Sequence, residues 1–431
     1  AAAMVKEVAV DEKALDTVVG RLHTKNKFEI GILLGRVAGE RPFIVGFIPT
    51  PELEGATKGW TDVDAAWVAQ HARNITEMLP GGLGVVGIYA YGEGAEATKH
   101  TAAVVGILRR ITRAQQAALV GLSATDDSSV GIHLQVCSKT KRNTARAFET
   151  EDLRAAGSPV TLKPSAVLRR LVTLRSSAEI DVTVPVAMAE TPSVPAEAIS
   201  TSLVALADTV ASRDGSLFDK SSTASLFDRK AGKPDADALD VEMFRVGLGL
   251  DGAPPAHEGT TLRLSGRVAV RAVCLQNDTE GVACRALQQD LIGSVVTRLG
   301  RLQQEDQGAG SFANLISKGA GHRAALTRRL SFLAGDLTMF EYAAAGDTLE
   351  DVGESAGELL SLPPTALSQI AFLEGEADLR AAARAPTASA PSPTTSVHGA
   401  TQAPAPPAVR NPVVLFGLVV VLLAIIVAYL A

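Results

Sequence analysis

Apolar residues along this chain fall into short continuous runs separated by longer stretches in which they recur at helical spacing. A helix is predicted around Lys13–Leu22, followed by EIGILLGRV (Glu29–Val37) and FIVGFIPTP (Phe43–Pro51) on either side of a turn at residues 38–42. Two such runs around a Gly/Glu/Arg turn predict a β-hairpin. Thr61 is expected to open the next helix, with Asp64 three residues on to answer it at the cap. Within that helix Val68, His71, Ala72, Ile75, Met78 and Leu79 share one face and predict core contacts. Pro80-Gly81-Gly82 stops it, and LGVVGIYAY (Leu83–Tyr91) follows as a buried strand. Gly92-Glu93-Gly94 then turns the chain into a second helix, with Val104, Leu108 and Ile111 on its apolar face, before the strand VGIHLQVCS (Val130–Ser138).

The pattern lengthens after residue 155. AEIDVTVPV (Ala178–Val186) and LRLSGRVAVRAVCL (Leu262–Leu275) predict strands, Val282–Leu302 an amphipathic helix, and Arg328–Tyr342 a strand hairpin. Asp347 is expected to cap a final helix running through Leu360. Residues 213–240, which hold the near-duplicates SLFDK and SLFDR, and residues 303–321 are expected to be mobile. The predicted class is α/β (α+β), with one domain over 1–155 and a second α/β domain over 156–385. Residues 386–411 are rich in Pro, Ala, Ser and Thr and predict an extended linker, able to span roughly 80 Å.

The end of the chain carries the strongest local signal. From Val413 through Leu415, Phe416, Leu418, Leu422, Ile425, Ile426, Tyr429 and Leu430 there is no charged or amide side chain. A helix of this length spans roughly 27 Å, close to the apolar thickness of a thin bilayer. A membrane span is therefore expected over 412–430. Ala431 alone follows it, and the first thirty residues lack an apolar signal segment, which predicts a tail anchor. The expectation is a single pass in the endoplasmic-reticulum membrane, with the bulk of the chain facing the cytoplasm. Three scattered cysteines fit a reducing compartment, and a net charge of −6 argues against nucleic acid as a partner.

Candidate chemistry is sparse. Gly82-Leu-Gly84-Val-Val-Gly87 matches a dinucleotide fingerprint, but it leaves a helix and enters a strand, the reverse of what the phosphate site requires. His133 and Cys137 lie about 13 Å apart along one strand face, too far for a nucleophile and its base. No cofactor is expected.

Two resemblances organise the rest. Glu29-Ile-Gly31-Ile-Leu33-Leu34-Gly35, and the strand Val85–Glu93 after a helix, resemble the MPN (JAB1/MPN/Mov34) domain of zinc isopeptidases. The resemblance implies that the two zinc-binding histidines are replaced by Ala90 and Gly92, the motif serine by His100 and the ligand aspartate by Ala103, with Glu29 retained. Alanine and glycine cannot coordinate zinc, so an inactive pseudo-enzyme domain is expected. Trp67–Gly87, with its MLPGG segment, and HLQVCSKTKR (His133–Arg142) resemble the odorant response abnormal protein 4 family. That resemblance implies an adaptor at the endoplasmic reticulum that helps membrane receptors mature and reach cilia. It also implies pairing with the cysteine protease specific for the ubiquitin-fold modifier. Trp67, Met78, Leu79, Pro80, Gly81 and Gly82 are the expected interaction residues, and partners are that protease, receptor clients and the lipid bilayer. Two alternatives stand beside this reading: a membrane-anchored hydrolase whose active site escapes pattern recognition, and a trafficking chaperone unrelated to modifier chemistry.

Overall fold

Seven consecutive buried positions in GVVGIYAYG make Gly84–Gly92 a strand covered on both faces, and the fold is built outward from it. A computed structural model describes residues 5–37, 42–52, 57–94, 99–118, 130–152, 156–188, 193–194, 209–213, 216–217, 238–240, 242–245, 260–304, 312–318, 323–344, 346–375 and 378–384. Strands β1 (Glu7–Asp11), β2 (Glu29–Arg36), β3 (Phe43–Pro49), β4 (Gly84–Gly92), β5 (Val130–Cys137), β6 (Asn143–Glu149) and β7 (Ser158–Ser165) close a barrel in the order β1-β3-β2-β4-β5-β6-β7. Helix α1 (Glu12–Lys25) leaves β1 at Asp11, whose carboxylate accepts from Ala14 N at 3.1 Å. Its Leu15, Val18 and Leu22 pack on one sheet face with Leu33, Tyr89, Tyr91 and Leu134. Helices α2 (Ala65–Met78) and α3 (Thr101–Ala118) cover the opposite face, against Ile32, Leu34, Ile88 and Ala90.

The start of α2 differs from the expectation. Trp60–Asp62 forms a separate 3-10 turn, and Asp64 itself is the N-cap, accepting from Ala66 N at 2.8 Å and Trp67 N at 3.2 Å. A carboxylate that satisfies two orphan amides fixes the start there rather than at Thr61. The last predicted helix shifts for the same reason. The helix over Leu349–Leu360 is capped by Thr348, which forms a capping box with Asp351, while Asp347 accepts from Ala344 N in the preceding turn.

Two fifteen-residue strands, β8 (Leu171–Pro185) and β13 (Thr261–Leu275), pair antiparallel along their whole length. β8 begins seven residues earlier than predicted, because its buried positions alternate from Val172 onward although Arg175, Ser176 and Ser177 dilute the apolar count. With β11 (Ala238–Asp240), β14 (Arg323–Ala325) and β18 (Leu379–Arg384) they form a five-stranded sheet, ordered β11-β8-β13-β18-β14. β9 (Thr209–Arg213), β10 (Ser216–Leu217) and β12 (Glu242–Arg245) make a small sheet; β15 (Arg328–Ala334), β16 (Leu337–Ala343) and β17 (Leu367–Phe372) make another. Helix α4 (Glu280–Gln304) packs on the five-stranded sheet, joined by α5 (Phe312–Lys318); α6 (Leu349–Leu360) packs beside β16 and β17. Within 303–321, Phe312–Lys318 form α5 with Phe312, Leu315 and Ile316 buried, while residues 305–311 and 319–321 lie outside the described residues. Most of the SLFDK/SLFDR stretch lies outside the described residues.

α4 also departs from simple amphipathicity. Gln288, Asp290, Ser294, Thr297 and Arg298 are all buried, because charges that a sequence assigns to solvent meet partners from other elements. The described residues all fall within one compact unit. The predicted linker and span lie outside the described residues, among which no helix is long and apolar enough to cross a membrane.

Candidate functional site

Register decides what the Glu29 carboxylate can reach. Glu29 pairs with Tyr91 and Ile30 with Ala90, so alternation puts Glu29 on the α1 side of the sheet with Tyr89 and Tyr91. Ala90 and Gly92 point to the other side, toward α2 and α3. Ala90 is wholly buried there, and a Cβ added at Gly92 would sit 3.2 Å from the Phe28 ring. His100 lies half-buried just before α3, and Ala103 is exposed in its first turn. The sequence resemblance brought these positions together; the sheet holds Glu29 apart from Ala90 and Gly92.

Glu29 is also fully occupied. Arg21 grips it with two hydrogen bonds, at 2.8 and 2.6 Å, and the Tyr89 hydroxyl donates at 2.8 Å. Burial raises the carboxyl pKa, but the bonds from Arg21 and Tyr89 together hold it below the ordinary range. Burial and the Glu29 charge push the Tyr89 phenol well above its usual value. The group is an ionised acceptor locked into a pair, not a base with a free lone pair. Among the described residues no three His, Cys, Asp or Glu side chains are placed to hold a metal. The zinc of the isopeptidase resemblance does not fit these residues.

Across β4, His133 and Cys137 occupy one face of β5. His133 is buried, its ring edge-on to Trp60 at 5.6 Å, and its Nε2 has no partner among the described residues. Burial, helped by the Arg146 charge, lowers its pKa to about 4. Burial likewise lowers His71, whose Nε2 lies 2.8 Å from Leu359 O. Both imidazoles fold neutral, so the unfolded chain binds more protons than the folded one below about pH 6.5. Stability is complete above that pH and falls as pH drops toward 4. His133 alone should cost about 3 kcal/mol at the lower limit. Urea midpoints measured at pH 7 and pH 4.5 test this, and His133→Phe should flatten the difference. Cys137 is partly exposed, and its thiol is lowered to about 7 by hydrogen bonds, chiefly from Thr140. His133 is thus a buried strand residue, and Cys137 sits partly exposed at the strand's end.

Of the expected interaction residues, Trp67 and Gly82 are half-buried, and Met78, Leu79, Pro80 and Gly81 are buried. Trp67 donates its indole N–H to Pro51 O at 2.8 Å. Gly81 forms a parallel bridge with Ala272, donating to Arg271 O at 3.0 Å and accepting from Val273 N at 2.8 Å. Asp290 and Gln289 of α4 accept from Gly81 N and Gly82 N, each at 3.2 Å. The glycines are required by space: a Cβ at Gly81 would lie 1.9 Å from Ala286 O, and Gly82 has φ +85 with its Cβ 2.3 Å from Val273 O. MLPGG is thus a clasp that fastens the barrel to β13 and α4, not an exposed docking patch.

Asp290 ties the clasp to a buried ionic cluster. It also accepts from Arg271 N at 2.7 Å and from both terminal nitrogens of Arg329, at 2.6 and 2.7 Å. Arg298 pairs with Glu374, Arg301 with Glu341, and Arg36 bridges from β2 to Asp278 at 2.8 Å. Sequence reasoning missed this cluster; the signal was an unusual density of charges inside otherwise core-like segments.

Against that geometry, the model of one sequence family, Odorant response abnormal 4-like (ODR4-like), matches residues 31–368, most of the chain and all of the clasp. The chain belongs to the ODR4-like family. Relatives include protein odr-4 homolog of Xenopus tropicalis, 25% identical over 172 residues, which are 38% of this chain and 38% of that protein. The Gallus gallus odr-4 homolog is 26% identical over 186 residues, 40% of this chain and 41% of that protein. The chain thus matches about two fifths of the length of these relatives. Among solved structures, UfSP from C. elegans aligns with TM-score 0.41 and 10% identity, over 83% of this chain and 57% of that one. The ODR4-like core described above is a mixed α/β fold.

Proposed function

We propose that this ODR4-like chain is a noncatalytic adaptor, held at the endoplasmic-reticulum membrane by residues 412–430 with the folded unit in the cytoplasm. There it recruits the cysteine protease specific for the ubiquitin-fold modifier and serves maturation and trafficking of membrane receptors. The observation that carries the noncatalytic part is the separation at the former metal position. Ala90 and Gly92 offer no ligands, while Glu29 lies on the opposite sheet face, engaged by Arg21 and Tyr89. The apolar run from Val413 to Leu430 supports the anchor. Glu29 borders a cleft of about 1160 Å³ lined by apolar side chains including Phe47, Leu337 and Met339, large enough to take a partner's side chains.

Metal analysis and conjugate cleavage by the purified full chain test the first half. The expectation is substoichiometric zinc and no cleavage of a ubiquitin-like conjugate; bound zinc, or cleavage abolished by Glu29→Gln, would overturn it. Deleting residues 413–430 should move the chain from the membrane to the soluble fraction, and retention at the membrane would refute the anchor.

A further inference from the structure

The exposed face of the β8–β13 pair carries an arrangement that neither the family nor the adaptor role explains. Register sets Arg271 directly opposite Arg175 and Ala269 directly opposite Ser177, all on the face away from α4. Like charges placed directly across a strand pair repel, so the position is unfavourable unless an anion offsets it. Asp240 pairs with Arg175 at 3.0 Å, and register sets Glu179 across from Arg267, but among the described residues no carboxylate forms an ion pair with Arg271 or Arg267. The small Ala269 lies between them along β13 and floors a pocket of about 590 Å³.

The donors in that pocket are ordered. Arg267 donates through Nε and Nη2 to Ser177 Oγ at 3.1 and 2.8 Å, which leaves the serine proton free to donate outward. Arg271 is fixed by Nη1 bonds to Ser176 O and Val270 O, at 3.0 and 2.8 Å. The acids that also border the pocket are engaged. Glu374 accepts from Ala269 N at 2.8 Å and is neutralised by buried Arg298, and Asp378 accepts from Gly375 N at 2.6 Å.

We propose that this pocket binds a phosphate monoester, with Arg267, Arg271 and Ser177 as its donors. Two guanidinium groups and a hydroxyl match a dianion that presents three acceptor oxygens, and planar Arg donors suit phosphate better than Lys would. The pocket has room for the phosphate and part of the group that carries it. The ester can come from a soluble metabolite or from a lipid headgroup. The site is independent of protease recruitment, and its failure would leave that reading intact.

The test is calorimetric titration of the full chain in detergent micelles with glycerol 3-phosphate, with dioctanoyl phosphatidic acid and with acetate. Binding of a phosphate ester should weaken about tenfold in Arg267→Gln and in Arg271→Gln, the loss of a charge-assisted hydrogen bond. It should be unchanged in Arg263→Gln, because Arg263 is already paired with Asp181 on the same face. Glycerol 3-phosphate binding would assign a soluble ester, and the same pattern with the lipid alone would assign a headgroup. Thermal unfolding without ligand checks that each variant folds, and Arg271→Lys, which keeps charge but loses the fork, should fall between. Equal affinity for acetate, variants that bind like the parent, or no phosphate-ester binding by the parent tighter than about 10 mM would overturn the site.

Discussion

Replacing Asp290 with Ala should destabilise the protein by about 3–5 kcal/mol, because it leaves the Arg329 guanidinium buried without its counter-charge. Both side chains are 1% exposed, so neither can recover its lost partner from water. The same carboxylate accepts from two backbone amides; Gly81 N would keep its bond to Arg271 O, but Arg271 N would lose its 2.7 Å acceptor. Urea denaturation of the full chain in detergent reads the effect as a lower midpoint. The paired change Asp290→Leu with Arg329→Met should recover most of the loss, since a buried ion pair is costly to break but not to replace by apolar volume. A single-variant cost below about 1 kcal/mol would show that the cluster is solvated in solution.

Gly82→Ala should cost about 2–5 kcal/mol, from a left-handed φ that disfavours a side chain and from a Cβ pressed against Val273 O. Gly81→Ala meets Ala286 O even closer and should cost at least as much. Either change should also speed amide exchange at Val273, whose N–H is bonded to Gly81 O. Gly106 is the control. A Cβ there meets nothing within 4 Å, so Gly106→Ala on α3 should stabilise by up to about 1 kcal/mol.

The clasp shows what a sequence can and cannot disclose. Met78–Gly82 stood out as specific from its residues alone, yet its partners are more than 180 positions away, and the specificity pointed inward rather than outward. Strong periodicity exposed α1, α2, the β2–β3 hairpin, β4, β5, β13 and the β15–β16 hairpin. β1, β6 and β7 escaped because they are short or interrupted by polar residues and prolines; they exist because barrel edges demand partners, with β1 paired to both β3 and β7. Asp290–Arg329 and Arg298–Glu374 join residues 39 and 76 positions apart, and a lone charge in sequence carries no mark of the partner that buries it. That Ala90 and Gly92 offer no metal ligands was legible. That Glu29 faces away from them was not, because facing depends on strand register.

The central claim, a noncatalytic chain that holds a protease at a membrane, is tested most directly by fractionating cells and measuring how much modifier-specific protease sediments with membranes. The account predicts that this share falls when the chain is removed. The full chain and its Glu29→Gln variant should restore it, and a chain lacking residues 413–430 should not. A protease distribution that is unchanged by loss of the chain, or that is restored equally by the version without those residues, would contradict it.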